Sequence, residues 1–422
     1  MVKKQRIEEL KKIKLDENNI IKSGITLKIE GDFKTFDTYK IPLECLIYNK
    51  YNGRIAAEVR SYEKQFPPEL NPEIEEDKKK VEEFLWDSQI SRNNFTMDSL
   101  INDRQIEYGC VTNDGIIING NRRAMLLSKI YRDRERYIKD KRNVDHCKYF
   151  EAIILDKEYS PAEIMKLETI MQMGKDNPVD FDAIQKYLRI QDLKNSGNED
   201  AEIAYMMGVT TADVKKFSET LVLMENYLRY WHYDNMYTML KKREDLFLRL
   251  GEKLKDAKKH TLRADWNYEE LDISELERCA YDLIRAEYEG KDFRTVLKLF
   301  SVENAWKKFI KRHKEIMGSV AEEPVESIRE NNPSIDLSEK LEFRNNDFKE
   351  KTASSFENNT YSSDAVKRGV VEYEKPLELL NKCLKLLEGV DRDNDGFYNT
   401  PGILEKIIEI NKKSFELKKL LD

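Results

Sequence analysis

Apolar and polar residues alternate in ITLKIEG, from Ile25, and in TYKIPLECLIY, from Thr38, and this two-residue period predicts half-buried strands. The strands end in the turn-rich NKYNGR. Ahead of them, charges alternate at helical spacing with Ile7, Leu10 and Ile13 on one side, which predicts a helical arm over residues 1–23. Residues 60–98 start charged and dotted with proline (FPPELNPEIEED), then turn helical through Val81, Phe84, Leu85 and Trp86. We read them as a charged insertion that ends in a helix. In IEYGCVTNDGIIINGNRRAMLLSKIYRD two apolar runs flank Asn113-Asp114-Gly115, the pattern of a hairpin. The second run stops at Asn119-Gly120-Asn121, and Ala124, Leu126, Leu127 and Ile130 continue at helical spacing. Strand, glycine turn and helix follow, with a last strand at YFEAIIL, residues 149–155.

After Ser160-Pro161 the pattern is helical, broken by Pro178 and turned at Gly208, and no strand pattern returns. The expected fold class is α+β, a small mixed-sheet domain over residues 24–157 followed by an all-α region. That region divides into 158–235, a helical stretch 236–318, a polar stretch 319–370 rich in Glu, Asn, Ser and Pro that reads as a flexible linker, and a helical hairpin over 371–422.

Charge changes this picture in one respect. The 422 residues carry 73 Lys+Arg against 80 Asp+Glu, a net charge of −7, which excludes a polycation that coats phosphate along its length. Any nucleic-acid contact must come from a local patch. No apolar run approaches the roughly 18 residues that span a bilayer, so no membrane partner is expected. The N-terminus lacks the apolar run of a secretory signal, and Cys45, Cys110, Cys147, Cys279 and Cys383 are scattered; both point to reduced thiols in the cytoplasm. The four histidines lie far apart, and Asp391-x-Asp393-x-Asp395-Gly396 has Gly402 where a calcium loop needs its bidentate glutamate, so no metal site is predicted.

The turn Gly120-Asn121-Arg122-Arg123 carries the clearest chemistry. A glycine lets the backbone turn sharply, a helix N-terminus favours an anion, and arginine forks hold phosphate oxygens by paired hydrogen bonds. The competing reading has one arginine paired with a carboxylate and the other solvated. With the strand before it and the helix after it, the segment resembles the nucleotide-binding core of the ParB/sulfiredoxin superfamily, whose hallmark is Gly-x-x-Arg in a strand-turn-helix setting. The upstream IPLECLIYNKYNGRI is similar to the ParB-like apolar strand, Asn-rich turn and arginine, here Arg54.

The resemblance spans about residues 36–155 and continues into the next domain. It implies nucleotide-binding roles for Arg54, Gly120, Asn121, Arg122 and Arg123, and for Gln172, which keeps its distance from Asn177-Pro178. Thr169, Ile170 and Met173 stand where ParB clamps carry Glu, Asn and Arg, and Asn121 stands where sulfiredoxins need their cysteine. The implied cofactor is a nucleoside triphosphate with magnesium.

AEIAYMMGVTTADVKKF, residues 201–217, has what a helix-turn-helix needs: Ala204 where helices touch, Gly208 at the turn, and Ile203, Met207, Val209, Val214 and Phe217 facing a core. Thr210 or Thr211 caps the second helix. That helix would present Thr211, Lys215, Lys216 and Ser218 to DNA, with the lysines on phosphates. Tyr227, Tyr230, Trp231 and Tyr233 follow, interleaved with basic residues; they read as core aromatics or, alternatively, as base-stacking platforms.

The resemblance implies a homodimeric, ParB-like protein that binds double-stranded DNA under the control of a nucleotide, in partition, transcription regulation, or mobile-element or phage defence. The alternatives are a nucleotide-hydrolysing or phosphoryl-transfer enzyme built on the same pocket, and a protein-interaction scaffold whose pocket is vestigial.

Overall fold

β1 (Ile20–Ile29) and β2 (Asp32–Pro42) form a long hairpin, and β3 (Gly109–Val111), β4 (Ile117–Asn119) and β5 (Tyr149–Ile154) complete a five-stranded sheet in the order β1-β2-β5-β3-β4. β5 runs parallel to β3 and every other neighbouring pair is antiparallel, so the sheet is mixed, as expected for the fold class. The structure, a computed structural model, describes residues 1–29, 31–173, 182–288 and 290–419, and along 370–376 and 378–379 the backbone alone. Asn177-Pro178 lies outside the described residues.

Alternation along the strands sorts the core into two layers. Val111, Ile117 and Ile154 face one side, while Cys110, Ile118 and Ile153 face the other. Helix α1 (Lys3–Leu15) docks on this domain through Leu10 and Ile13, and its buried Arg6 donates to the Glu73 carboxylate at 2.6 Å. The stretch read as a charged insertion is three helices: α2 (Ala56–Gln65), α3 (Glu75–Asp87) and α4 (Ile90–Asn102). Together with α5 (Asn121–Arg132) they cover the first sheet face; α6 (Arg134–Lys139) leads back to β5. The second face is closed by Ile164 and Leu167 of α7 (Pro161–Met173).

The rest is helical: α8 (Ala183–Asn195), α9 (Asp200–Met207), α10 (Thr211–Tyr230), α11 (Glu244–Lys258), α12 (Glu270–Arg285), α13 (Gly290–Leu299), α14 (Glu303–Ser319), α15 (Val325–Asn331), α16 (Leu337–Glu388), α17 (Asp395–Asn399) and α18 (Ile403–Lys419). Tyr227, Trp231 and Tyr233 lie inside one large core that runs from α8 through α14 into α16. Segments 158–235 and 236–318 therefore share packing across their expected boundary. Among the described residues no helix is long and apolar enough to cross a membrane.

Residues 319–370 are not a flexible linker. Val325, Leu337, Leu341, Phe348 and Phe356 are buried in that same core. Their polar neighbours bond internally through one atom each: Asn345 Oδ1 accepts from Tyr233 and Arg285 at 2.8 and 2.7 Å, and Asn359 Nδ2 donates to the Phe309 carbonyl at 3.0 Å, while Asn345 Nδ2 and Asn359 Oδ1 have no partner among the described residues. The polar composition hid a helix whose inward face mixes apolar residues with hydrogen-bonded amides. The last helices stand where the C-terminal hairpin was expected, but their apolar faces remain open to solvent.

Candidate functional site

The chain leaves β4 through Gly120, which takes φ +103° and begins α5. A side chain there is excluded twice, by the left-handed backbone and by Phe150, whose ring carbon would lie 2.6 Å from an added Cβ. The turn aims Arg122 and Arg123 along the first turn of α5. Asn121 is 2 % exposed and ties the wall together: its oxygen accepts the Asn49 N–H and its nitrogen donates to the Ile117 carbonyl, each at 2.9 Å.

Arg54, Gly120, Asn121, Arg122, Arg123 and Gln172 all line one cavity of about 220 Å³, with Asn52, Thr96 and Glu107 among its other walls. Arg122 makes three hydrogen bonds, to Asn93 at 2.9 Å and to Gln89 and Thr96 at 3.2 Å, all with neutral acceptors. Its charge is positioned without being neutralised. Burial, then the neighbouring charges of Arg54, Arg92 and Arg123, push the Arg122 guanidinium down to about 10. Arg123 donates to the Glu107 carbonyl at 2.7 Å and carboxylate at 2.9 Å, and burial lowers it despite that partner. Burial likewise lowers Arg54, against the opposing pull of Glu168.

Glu168, 1 % exposed, organises the floor. It accepts from Asn52 at 2.6 Å, the Gly53 N–H at 3.3 Å and Gln172 at 3.0 Å through one oxygen, and from Arg189 of α8 at 2.6 Å through the other. The loop also closes on itself, Asn52 accepting from the Arg54 N–H at 3.0 Å. The Oε1 atom of Gln172 is buried in the cavity wall with no hydrogen-bond partner among the described residues. Such a site suits an anion that also offers a donor. For magnesium the fit is poorer: among the described residues Glu107 is the one carboxylate lining the cavity, and it is engaged by Arg123. Larger grooves exist, but that between α3 and α5, for example, mixes Lys79, Lys129 and Arg132 with Glu82, Glu83, Asp87 and Asp133, and has no convergent sign. Gln89, Arg92, Asn93, Glu107, Glu168 and Arg189 carry no sequence signal of their own; only the neighbouring Thr169–Met173 segment points to α7.

α9 and α10 meet through Gly208, Val209 and Thr210. Gly208 is left-handed at φ +67°, and Thr210 caps α10 in reciprocal bonds with Asp213, at 3.0 and 3.1 Å. Ile203, Ala204, Met207 and Val214 pack against Ile190 and Leu193 of α8 and Met165 of α7. Thr211, Lys215 and Lys216 are exposed. Lys216 pairs with Glu252 of α11 at 2.9 Å, and the Ser218 hydroxyl turns back to the Val214 carbonyl at 2.9 Å, so Ser218 is not held outward as its position suggested. Among the described residues no cluster of three or more His, Cys, Asp or Glu is placed to hold a metal.

The fold and the site thus define a mixed-sheet domain with an arginine-lined pocket at a strand–glycine–helix turn. No protein-family model matches this chain, and no curated protein matches it either.

Proposed function

We propose that this protein is a homodimeric, ParB-like DNA-binding protein whose N-terminal pocket takes a nucleotide or other phosphorylated ligand that modulates DNA binding. The carrying observation is the convergence of Arg54, Arg122 and Arg123 on one small cavity, in which Arg122 is held by neutral acceptors and Arg123 by the exposed Glu107. Clustered guanidiniums repel one another unless an anion neutralises them. A phosphate would displace Glu107 from Arg123 and accept from the arginine forks. α7 is the route of modulation: Gln172 and Glu168 touch the pocket and its loop, while Met165 belongs to the core under α9 and α10. Duplex DNA would meet the exposed start of α10, at Thr211, Lys215 and Lys216.

Thermal shift tests the ligand. At about a hundred times its dissociation constant, a nucleotide that binds only the folded state adds about 2.7 kcal/mol. One nucleoside triphosphate, or inorganic pyrophosphate as a minimal probe, is expected to raise the melting temperature of wild type and not of Arg122→Ala. If none of them shifts wild type, the pocket reading fails. For DNA, Lys215→Ala with Lys216→Ala is expected to weaken duplex binding and flatten the salt dependence. Each phosphate that the lysines no longer neutralise lowers the logarithmic slope by about 0.9, and an unchanged slope would remove α10 from the interface.

A further inference from the structure

A trough of about 640 Å³ runs between α10 and α11 and shares no lining residue with the arginine cavity. Its size falls within the roughly 300–1,000 Å³ of small-ligand sites. The floor is apolar: Leu223 and Leu254 are buried, Leu248 is half-buried, and Val222 stands 55 % exposed on the α10 wall. Gly251, in the middle of α11, keeps that floor open. Glycine weakens a helix interior relative to alanine, and neither backbone nor crowding requires it here. An added Cβ would have the tip of Leu223 as its nearest neighbour, at the ordinary distance of 3.9 Å. What a side chain at 251 would take away is the depth of the trough.

Charge and length select the occupant. Two ion pairs join the walls, Lys216–Glu252 at 2.9 Å and Lys255–Glu219 at 3.2 Å, and Glu277 accepts the Tyr281 hydroxyl at 2.5 Å. Those carboxylates are engaged. Lys258 and Lys259, exposed at the C-terminal end of α11, have no carboxylate partner among the described residues. The trough is thus an apolar bed that ends in two unneutralised cations, and an apolar chain with one anionic head fits both. From Leu248 to Lys258 is about 15 Å of helix, roughly three turns. That matches an extended chain of medium length, whereas a partner protein takes roughly 800 Å² from each side, more than so short a trough presents. We propose that the trough binds a medium-chain carboxylate, its chain on Leu223, Gly251 and Leu254 and its head on Lys258 and Lys259. Burial of the chain supplies the affinity and charge-assisted bonds fix the head. The lysine stems are long enough to meet that head beyond the negative end of the helix dipole. The site is independent of the nucleotide and of DNA.

Calorimetric titration of the full chain with decanoate below its micellar concentration, without nucleotide or DNA, tests the proposal. Wild type should bind one decanoate per chain saturably. Decanol and decyltrimethylammonium, the same chain with a neutral or a cationic head, should bind at least about tenfold more weakly, the loss expected for one hydrogen bond to a charged group. Lys258→Glu combined with Lys259→Glu, both at exposed positions, should weaken decanoate by about tenfold or more and leave decanol unchanged. Gly251→Leu should abolish saturable binding with helical circular dichroism unchanged. No saturable binding to wild type, decanoate affinity unaltered in the lysine double variant, or binding that survives Gly251→Leu would each overturn the proposal. So would equal affinities for the three heads, since the lysines would then select nothing.

Discussion

Glu168→Ala is expected to lower the unfolding free energy by about 3–5 kcal/mol, the usual cost of removing one partner from a buried ion pair. Glu168 and Arg189 are 1 % and 2 % exposed and 2.6 Å apart. Without the carboxylate, Arg189 keeps the Tyr51 carbonyl at 3.0 Å, while its other terminal nitrogen already lacks a partner among the described residues. Asn52 and Gly53 lose the same acceptor, so the loop that carries Arg54 loosens. Burial holds the Glu168 carboxyl above its ordinary range, against the pull of Arg189. The double variant Glu168→Leu/Arg189→Met should be more stable than Glu168→Ala, because no charge is then stranded. Urea denaturation of the three proteins measures the difference, and a Glu168→Ala midpoint equal to wild type would show that the pair contributes nothing.

Phe356→Ala is expected to cost about 3–5 kcal/mol as well, the range for truncating a buried aromatic. Phe356 is fully buried, stacks on His313 at 5.1 Å and meets Phe348 edge-on. Phe348 in turn covers Arg285, whose guanidinium lies 4.2 Å from its ring and 4.1 Å from that of Trp231. A residue in a tether would change stability by less than about 0.5 kcal/mol. Urea midpoints at constant slope discriminate the two outcomes.

The sheet and its pocket were legible because each depends on short-range signals. Alternation in Ile25–Ile29, the Asn113-Asp114-Gly115 turn and the break at Gly120 are written in consecutive residues, and the fold brings the six residues of the expected nucleotide site to one cavity. What surrounds the arginines was not legible. Gln89, Asn93 and Thr96 belong to a helix and its approach inside a segment that reads as a charged insertion, and Glu168 looks like any carboxylate on an amphipathic helix until its burial is known. The segment 337–366 misled for a different reason. Thr352, Asn359 and Ser363 occupy inward positions normally apolar, so the helical period is blurred in the sequence although the packing is dense.

Fifty-two residues at about 1.5 Å each make α16 roughly 78 Å long. A compact chain of 422 residues has a radius of gyration of only roughly 22 Å. Residues 337–366 of α16 are packed in the body, and the remaining stretch from 367 to 388, roughly 33 Å, extends beyond that core and raises friction without adding mass. The chain will sediment slowly and elute early, and even a monomer will imitate an oligomer on a sizing column. Diffusion alone therefore overstates its size, and absolute mass is the quantity that reports how many copies are joined.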